Sequence, residues 1–291
     1  MGAALWTVAS LIQTTANFLG PKGIPSPRLE AEILLAKVLD LSRVALYVNF
    51  DRALTGPELD AYRELVRRRS KFEPSAYILG EKEFYKLPLK VSPATLIPRP
   101  ETEGLVDEAL RLARAREDPL RVLDVGAGSG AIALAFKANL PAAEVWGVDI
   151  SPAALAIARE NARALALDAR FLESDLLRSP ELAGDFDLIL ANLPYVPTPE
   201  LAGLPPDTRD YEPTLALDGG PDGLNLYRRL LAEAPPRLRP QGRLLLEIHP
   251  PQLEPLSQLA RERSLEPLAP VLDYSSRPRI FVARHAAPPN L

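Results

Sequence analysis

Apolar positions recur at helical spacing through the first part of the chain, and then the period changes twice. Residues 27–40 (PRLEAEILLAKVLD) predict a helix with Ser26 as N-cap and Pro27 at the first helical position, placing Leu29, Ile33, Leu34 and Val38 on one face. A second helix fits 55–71, where Thr55 caps, Pro57 and Glu58 occupy the first turn, and Leu59, Tyr62 and Val66 repeat. The first 80 residues therefore read as a small helical bundle. Residues 83–98 (EFYKLPLKVSPATLIP) are short extended pieces broken by Pro88 and Pro93, which predicts a hairpin or connector. Three regions follow: 1–80 helical, 81–100 a hairpin linker, and 101–291 a second domain.

From residue 120 apolar strand patterns alternate with helical ones. Strands fit at 121–125, 144–149, 169–174, 187–191, 242–248, 267–272 and 279–283. This order predicts an α/β domain with a doubly wound, mostly parallel sheet covered on both faces, whose ligand sits at the carboxyl ends of the strands near the switch point.

Composition narrows the chemistry. There is no cysteine, so disulfides, thiolate nucleophiles and cysteine metal sites are out, and two histidines, His249 and His285, do not make a zinc site. The first twenty residues lack a basic n-region, and no apolar run reaches the length of a membrane span, so a soluble cytoplasmic protein is expected. The net charge of −4 is uneven: residues 1–100 are net basic and 101–291 net acidic, which suggests different partners for the two halves. The run Arg67-Arg68-Arg69-Ser70-Lys71 could contact RNA or a ribosome-associated protein, but it ends a helical pattern and is read as a solvated helix face.

Two strand ends carry the candidate chemistry. The strand at 121–125 runs into Asp124-Val125-Gly126-Ala127-Gly128-Ser129-Gly130 and then into an amphipathic helix, a loop that brings backbone N–H groups close to a ligand. Its G-x-G-x-G spacing departs from the G-x-G-x-x-G of dinucleotide enzymes. The next strand ends in Asp149, placed to accept from both hydroxyls of a ribose. Together they predict a ribose-bearing cofactor, S-adenosylmethionine ahead of NAD. The strand at 187–191 ends in Asn192-Leu193-Pro194-Tyr195 on the same rim. An amide that accepts and donates, a carbonyl held by the following proline and a flat aromatic ring suit a planar, conjugated nitrogen.

NLPY resembles the N-P-P-Y signature of class I methyltransferases that act on planar nitrogens. The flanking segments AYILGEKEFYKLPLKVSPATLIPRPETEGLVD (76–107), LEAEILLAKVLDLSR (29–43), VLDVGAGSGAIALA (122–135) and DYEPTLALDGGPDGLNLYRRL (210–230) are similar to the release-factor glutamine N5-methyltransferases, the HemK or PrmC family, over essentially the whole chain. The resemblance implies a Rossmann-like, seven-stranded, mostly parallel sheet with an N-terminal helical bundle joined by a β-hairpin. It implies S-adenosyl-L-methionine as cofactor, held by Asp124, Gly126, Ala127, Gly128, Ser129, Gly130, Asp149, Asp175, Leu176 and Asn192. The substrate would be the glutamine of the Gly-Gly-Gln motif in class 1 peptide chain release factors, gripped by the Asn192 side chain and the Leu193 carbonyl, with Pro194 restraining the loop and Tyr195 packing the amide plane. A monomer, with no stable nucleic-acid binding and no membrane association, is expected.

The chain departs from the family pattern at Leu193, normally proline, and at His249, normally glycine and read here as closing the end of a strand. The N–H that Leu193 adds must find a partner. Glu101, Glu103 and Glu247 are acids near the expected site, for which pairing with Arg99 or a role in loop structure is at least as good a reading as catalysis. A nucleic-acid N-methyltransferase, using the same Asn and Tyr on a flipped base, and a redox or nonenzymatic nucleotide-binding protein of the same fold remain as rivals. The acidic second domain counts against the former, and the glycine spacing and NLPY against the latter.

Overall fold

The computed structural model describes residues 6–116, 118–182 and 184–285. The chain divides into two compact units: Met1–Gly80 with Pro205–Tyr211, and Glu81–Leu204 with Glu212–Leu291.

In the first unit the helices Val8–Leu19, Pro27–Leu39 and Gly56–Arg69, with short helices at Arg43–Val48 and Ser75–Leu79, enclose a core that includes Ile12, Leu34, Leu35 and Tyr62. Thr55 and Glu58 form a reciprocal capping box, and the Tyr62 hydroxyl donates to the Ala31 carbonyl at 3.1 Å. Ser26 occupies its N-cap position at φ +47° without a side-chain cap bond. The inward face of Pro27–Leu39 is Ala31, Leu34 and Leu35, while Leu29 is exposed. Of the expected face, Leu34 is buried and Val38 packs on the core, and the buried Glu32 interrupts the apolar pattern. Glu32 is buried and accepts from Arg28, Arg43 and Tyr47, so a polar residue occupies a core position at no loss of partners. The basic run is likewise not a uniform solvated face. Arg67 pairs with Glu64 and Arg68 with Glu73, while Arg69 is buried against Glu30 and lies 3.7 Å from Asp207.

Among the described residues the second unit holds ten strands: β1 (Glu81–Phe84), β2 (Leu87–Lys90), β3 (Arg121–Val125), β4 (Glu144–Asp149), β5 (Ala169–Glu173), β6 (Phe186–Ala191), β7 (Leu238–Glu247), β8 (Leu265–Pro267), β9 (Val271–Leu272) and β10 (Pro278–His285). The hairpin β1–β2 belongs to this unit and is not a free linker, because Phe84 and Leu89 are buried in its core. The other eight strands form one sheet in the order β5-β4-β3-β6-β7-β10-β8, with β9 beside β10. Pairs from β5 through β7 are parallel, and β10 is antiparallel to β7.

One strand more than the expected seven arises where 267–272 divides between β8 and β9 around Pro270, which has no N–H to donate. β7 starts four residues earlier than expected, through Pro240 and Gly242, which a register irregularity against β6 accommodates. Both sheet faces are covered: Glu103–Arg114, Ala131–Asn139 and Pro152–Ala164 contribute to one core, and Asn225–Glu233 and Leu253–Arg261 to the other. That explains why β6 is buried along its whole length and apolar from Leu188 to Ala191.

Candidate active site

The strand register assembles the site. The order reverses between β3 and β6, and at their carboxyl ends Val125 pairs with Val148 on one side and Ala191 on the other, while Ala191 pairs with Leu246. The next residues along these strands are Gly126, Asp149, Asn192 and Glu247, so the loop glycine, the ribose-type acid and the NLPY asparagine share one rim. A cavity of about 420 Å³ opens there, walled by Gly126–Ser129, Asp149, Asp175, Leu176 and Asn192–Pro194. The segment from Ala94 to Thr102 closes another side.

The glycine loop is pinned by the N–H groups of Gly126 and Ala127, both donating to the Val148 carbonyl at 2.8 and 2.9 Å. A Cβ on Gly126 would meet Leu193 Cδ2 at 2.9 Å, so the departure from the N-P-P-Y pattern is packed directly against the loop. Gly130 has a different task from the one expected. It is absent from the cavity wall, and at φ +81° a Cβ there would lie 3.0 Å from Phe171 and 3.1 Å from Leu134; its value is close packing at the start of Ala131–Asn139. Asp124 is also set back. Fully buried, it accepts from the Ala133 N–H at 3.1 Å, and burial pushes its carboxyl up to about 7.

Asp149 accepts from the Gly128 N–H and the Ser151 N–H, both at 2.8 Å. Burial raises its pKa against those bonds. Ser151, not Asp149, caps the following helix, through the Ala154 N–H. A carboxylate offers about four lone-pair sites, so two remain for a diol. Asp175 pairs with Arg229 at 2.6 Å, and Leu176 adopts φ +53° while its carbonyl accepts from the Ser174 hydroxyl at 2.6 Å. A branched residue in that conformation is strained, and it turns the chain along the cavity wall.

These features fit S-adenosylmethionine: a crowded glycine turn for close backbone approach, a two-acceptor acid in the cavity wall at the next strand end, and an apolar wall at Leu176. Asp149→Ala is expected to weaken S-adenosylmethionine binding at least tenfold, since losing hydrogen bonds to a charged acceptor costs about 1.5–3 kcal/mol. Isothermal titration calorimetry reads the effect, and unchanged affinity in a folded variant would refute the assignment.

Asn192 lines the cavity, and its Nδ2 donates to Thr102 Oγ1 at 3.1 Å. The buried Tyr227 hydroxyl donates to the Glu247 carbonyl and, at 3.4 Å, to the Leu193 carbonyl. The Leu193 N–H finds no protein acceptor among the described residues. Tyr195 lies outside the cavity wall and packs on the second core, and burial raises its pKa. The acids sort out differently as well. Glu103 accepts from the Tyr85 N–H at 2.8 Å, and Arg99 pairs with Glu212 in place of the three acids named from sequence. His249 precedes the turn Pro250–Gln252, and its N–H donates to Gln252 Oε1.

Sequence reasoning missed what holds NLPY from behind. The N–H of Val196 donates to Leu217, that of Gly219 to Val196 and that of Thr198 to Gly220, while Gln252 Nε2 donates to the carbonyls of Tyr195 and Gly223 at 3.1 Å each. The glycine run in LALDGGPDGLN was a usable signal. A lone glutamine after two prolines was not.

Two family profiles match the chain: PrmC N-terminal domain over residues 10–80, and Methyltransferase domain over 122–205. The release factor glutamine methyltransferase of Geobacter sulfurreducens is 47% identical over 246 residues, 84% of each chain. That of Moorella thermoacetica is 44% identical over 283 residues, 95% of this chain and 98% of its own. Among solved structures, the hMettl16 catalytic domain in complex with the MAT2A 3'UTR hairpin 6 aligns with a TM-score of 0.55 at 15% identity, over 81% of this chain and 84% of that one, a likeness of fold. With relatives this similar along almost their entire length, the chain belongs to the release factor glutamine methyltransferase family.

Proposed function

We propose that this enzyme moves the methyl group of S-adenosyl-L-methionine to the side-chain amide nitrogen, N5, of the glutamine in the Gly-Gly-Gln motif of class 1 peptide chain release factors, and thereby modulates translation termination. The observation that carries the reading is Asn192: it stands one residue beyond the β3–β6 pairing, beside the glycine loop, with its amide already bonded to Thr102.

When bound, S-adenosylmethionine supplies a strongly activated methyl group. The protein's part is orientation, because an amide lone pair is delocalised and attacks only when held in line. Asn192 Oδ1 accepts one N–H of the glutamine amide. The Leu193 carbonyl has two lone pairs; Tyr227 takes one through a long bond, and the other serves the second amide N–H. Both acceptors favour positive charge growing on the nitrogen as the carbon–nitrogen bond forms, and the proton that the methylated amide then sheds passes to solvent. Tyr195 stiffens the loop from behind. The first unit supplies the docking body for the release factor; Val44 and Val48 on its short helix are 76% and 83% exposed, the kind of apolar surface a protein partner covers.

Incubation with methyl-labelled S-adenosylmethionine and, in parallel, purified release factor, tRNA and duplex DNA tests the reading, with tandem mass spectrometry to locate the label. One methyl on the Gly-Gly-Gln glutamine is expected, and none after Gln→Ala in the factor. Label on nucleic acid, or equal rates with free glutamine and intact factor, would refute it. Leu193→Pro should keep activity within about threefold, because position 193 acts through its carbonyl, its N–H bonds to no protein group among the described residues, and proline suits the extended backbone required before Pro194. Loss of activity in a folded Leu193→Pro enzyme would assign a role to the leucine side chain against Gly126.

A further inference from the structure

The segment after β5 brings Ser174, Asp175 and Leu176 to the cavity wall. Leu176 is buried in the second core and holds its left-handed φ of +53°, a backbone that leucine rarely adopts, so its neighbours must impose it. The Ser174 hydroxyl donates to the Leu176 carbonyl at 2.6 Å and accepts from the Ser179 N–H at 2.9 Å, which closes a small ring around residue 176. On its far side, Glu233 accepts the Leu177 N–H at 3.2 Å through Oε2 and Arg178 Nε at 2.8 Å through Oε1. One turn back on the same helix, Arg229 holds Asp175 at 2.6 Å. Glu233 gains nothing from its own helix: it closes Asn225–Glu233, where the free carbonyls oppose a negative charge and no basic residue stands in the last turn. The helix itself is anchored by Tyr227, Leu230 and Leu231, all fully buried. Both oxygens of Glu233 are thus committed to the loop that walls the cavity.

We propose that Glu233 is a positioning residue that holds Leu176 in its strained conformation and so sets the cavity wall before S-adenosylmethionine binds. Without the bond to the Leu177 N–H, the backbone at 176 is free to turn toward an extended or right-handed conformation, either of which is lower in energy for a leucine. The wall would then leave its packed place. Binding would have to restore it, and ordering a loop at the moment of binding weakens affinity. The two halves of the Glu233 contact are unequal. Arg178 has a side chain 59% exposed, and an ion pair of that kind contributes little. Leu177 is 4% exposed, so its N–H has little water to replace a lost acceptor, and that bond carries the effect. The proposal rests on this cavity being the cofactor's site.

Calorimetric titration of the full chain with S-adenosylmethionine tests it, using Glu233→Gln and Glu233→Met, each alone and combined with Leu176→Asn, together with Leu176→Ile. Glu233→Met, similar in length but without an oxygen acceptor, should raise Kd at least fivefold. Glu233→Gln keeps an oxygen for the Leu177 N–H and should stay within twofold. Leu176→Ile, apolar and of equal volume, should also weaken binding, because a residue branched at Cβ is disfavoured further at positive φ. Asparagine enters the left-handed region readily, so it needs less holding. Leu176→Asn alone should lower affinity by removing the apolar wall, but on that background Glu233→Met should cost less than a further twofold. In release factor methylation the Glu233→Met loss should appear in the KM for S-adenosylmethionine, with kcat at saturating cofactor changed less.

A Kd for Glu233→Met within twofold of wild type, equal losses for Glu233→Gln and Glu233→Met, or the same Glu233→Met loss with and without Leu176→Asn would overturn the positioning role while leaving the cofactor site in place. Unchanged affinity in a folded Asp149→Ala variant would remove the cavity as the cofactor's site, and this role with it. If Leu176→Asn fails to fold, the Glu233→Gln and Glu233→Met pair still decides.

Discussion

Asn192→Ala is expected to lower the methyl-transfer rate by two decades or more while S-adenosylmethionine affinity stays within a few-fold. The split follows from what the side chain touches. Its bond runs to Thr102, not to the glycine loop or Asp149, whose own contacts to Val148 and Ser151 are independent of it. Removing a preorganised acceptor aimed at a site of developing charge costs roughly 10²–10³ in rate. A loss confined to the chemical step, with ground-state binding preserved, marks an interaction realised in the transition state. Stopped-flow or quench kinetics on intact release factor, with calorimetry for the cofactor, separates the two quantities. A rate within a few-fold of wild type would mean that the amide is held elsewhere.

The sheet was legible because its strands are locally consistent. RVLDV at β3, EVWGVD at β4 and the apolar run of β6 are buried parallel strands, and such segments announce themselves by β-branched and aliphatic content between turn residues. The edges were less legible. β7 runs on through Pro240 and Gly242, residues that ordinarily break strands, and only the irregular pairing with β6 makes room for them. In the first unit the inward face is hard to read locally because Glu32 and Arg69 are buried, and their charged partners lie up to 11 and 138 positions away in the chain. No local pattern carries that information.

The site divides along the same line. Residues whose role is set by strand position, Gly126, Asp149 and Asn192, could be read directly, since a strand end in a doubly wound sheet defines a location. Gly130 and Tyr195 could be named but not placed, because one packs a helix and the other lies behind the wall. The back support was invisible: Gln252 reaches Tyr195 across 57 positions, and Glu247 looked like one acid among three.

That back support yields the second large effect. Gly223→Ala should reduce activity about a hundredfold although residue 223 is not part of the cavity wall. Gly223 sits at φ +75°, where an alanine costs roughly 1–2 kcal/mol. Its Cβ would also stand 2.2 Å from the Tyr195 carbonyl oxygen and 2.8 Å from Gln252 Nε2. Neither neighbour is a loose end. The carbonyl belongs to the NLPY backbone, and Gln252 Nε2 is bonded to both the Tyr195 and Gly223 carbonyls. Relief therefore requires moving Tyr195 or the 219–223 turn, and the movement passes through Pro194 and Leu193 to the asparagine. A misplacement of about 1 Å at reacting groups is worth about 10² in rate. The cofactor is contacted from the other strand ends, so its affinity should change less than threefold, and the strain should lower Tm by a few degrees. Gln252→Leu, which removes the bridge without adding bulk at 223, should show a smaller loss in the same direction. A folded Gly223→Ala enzyme that methylates release factor within threefold of wild type would show that the NLPY loop tolerates displacement, and that its geometry is not what limits methyl transfer.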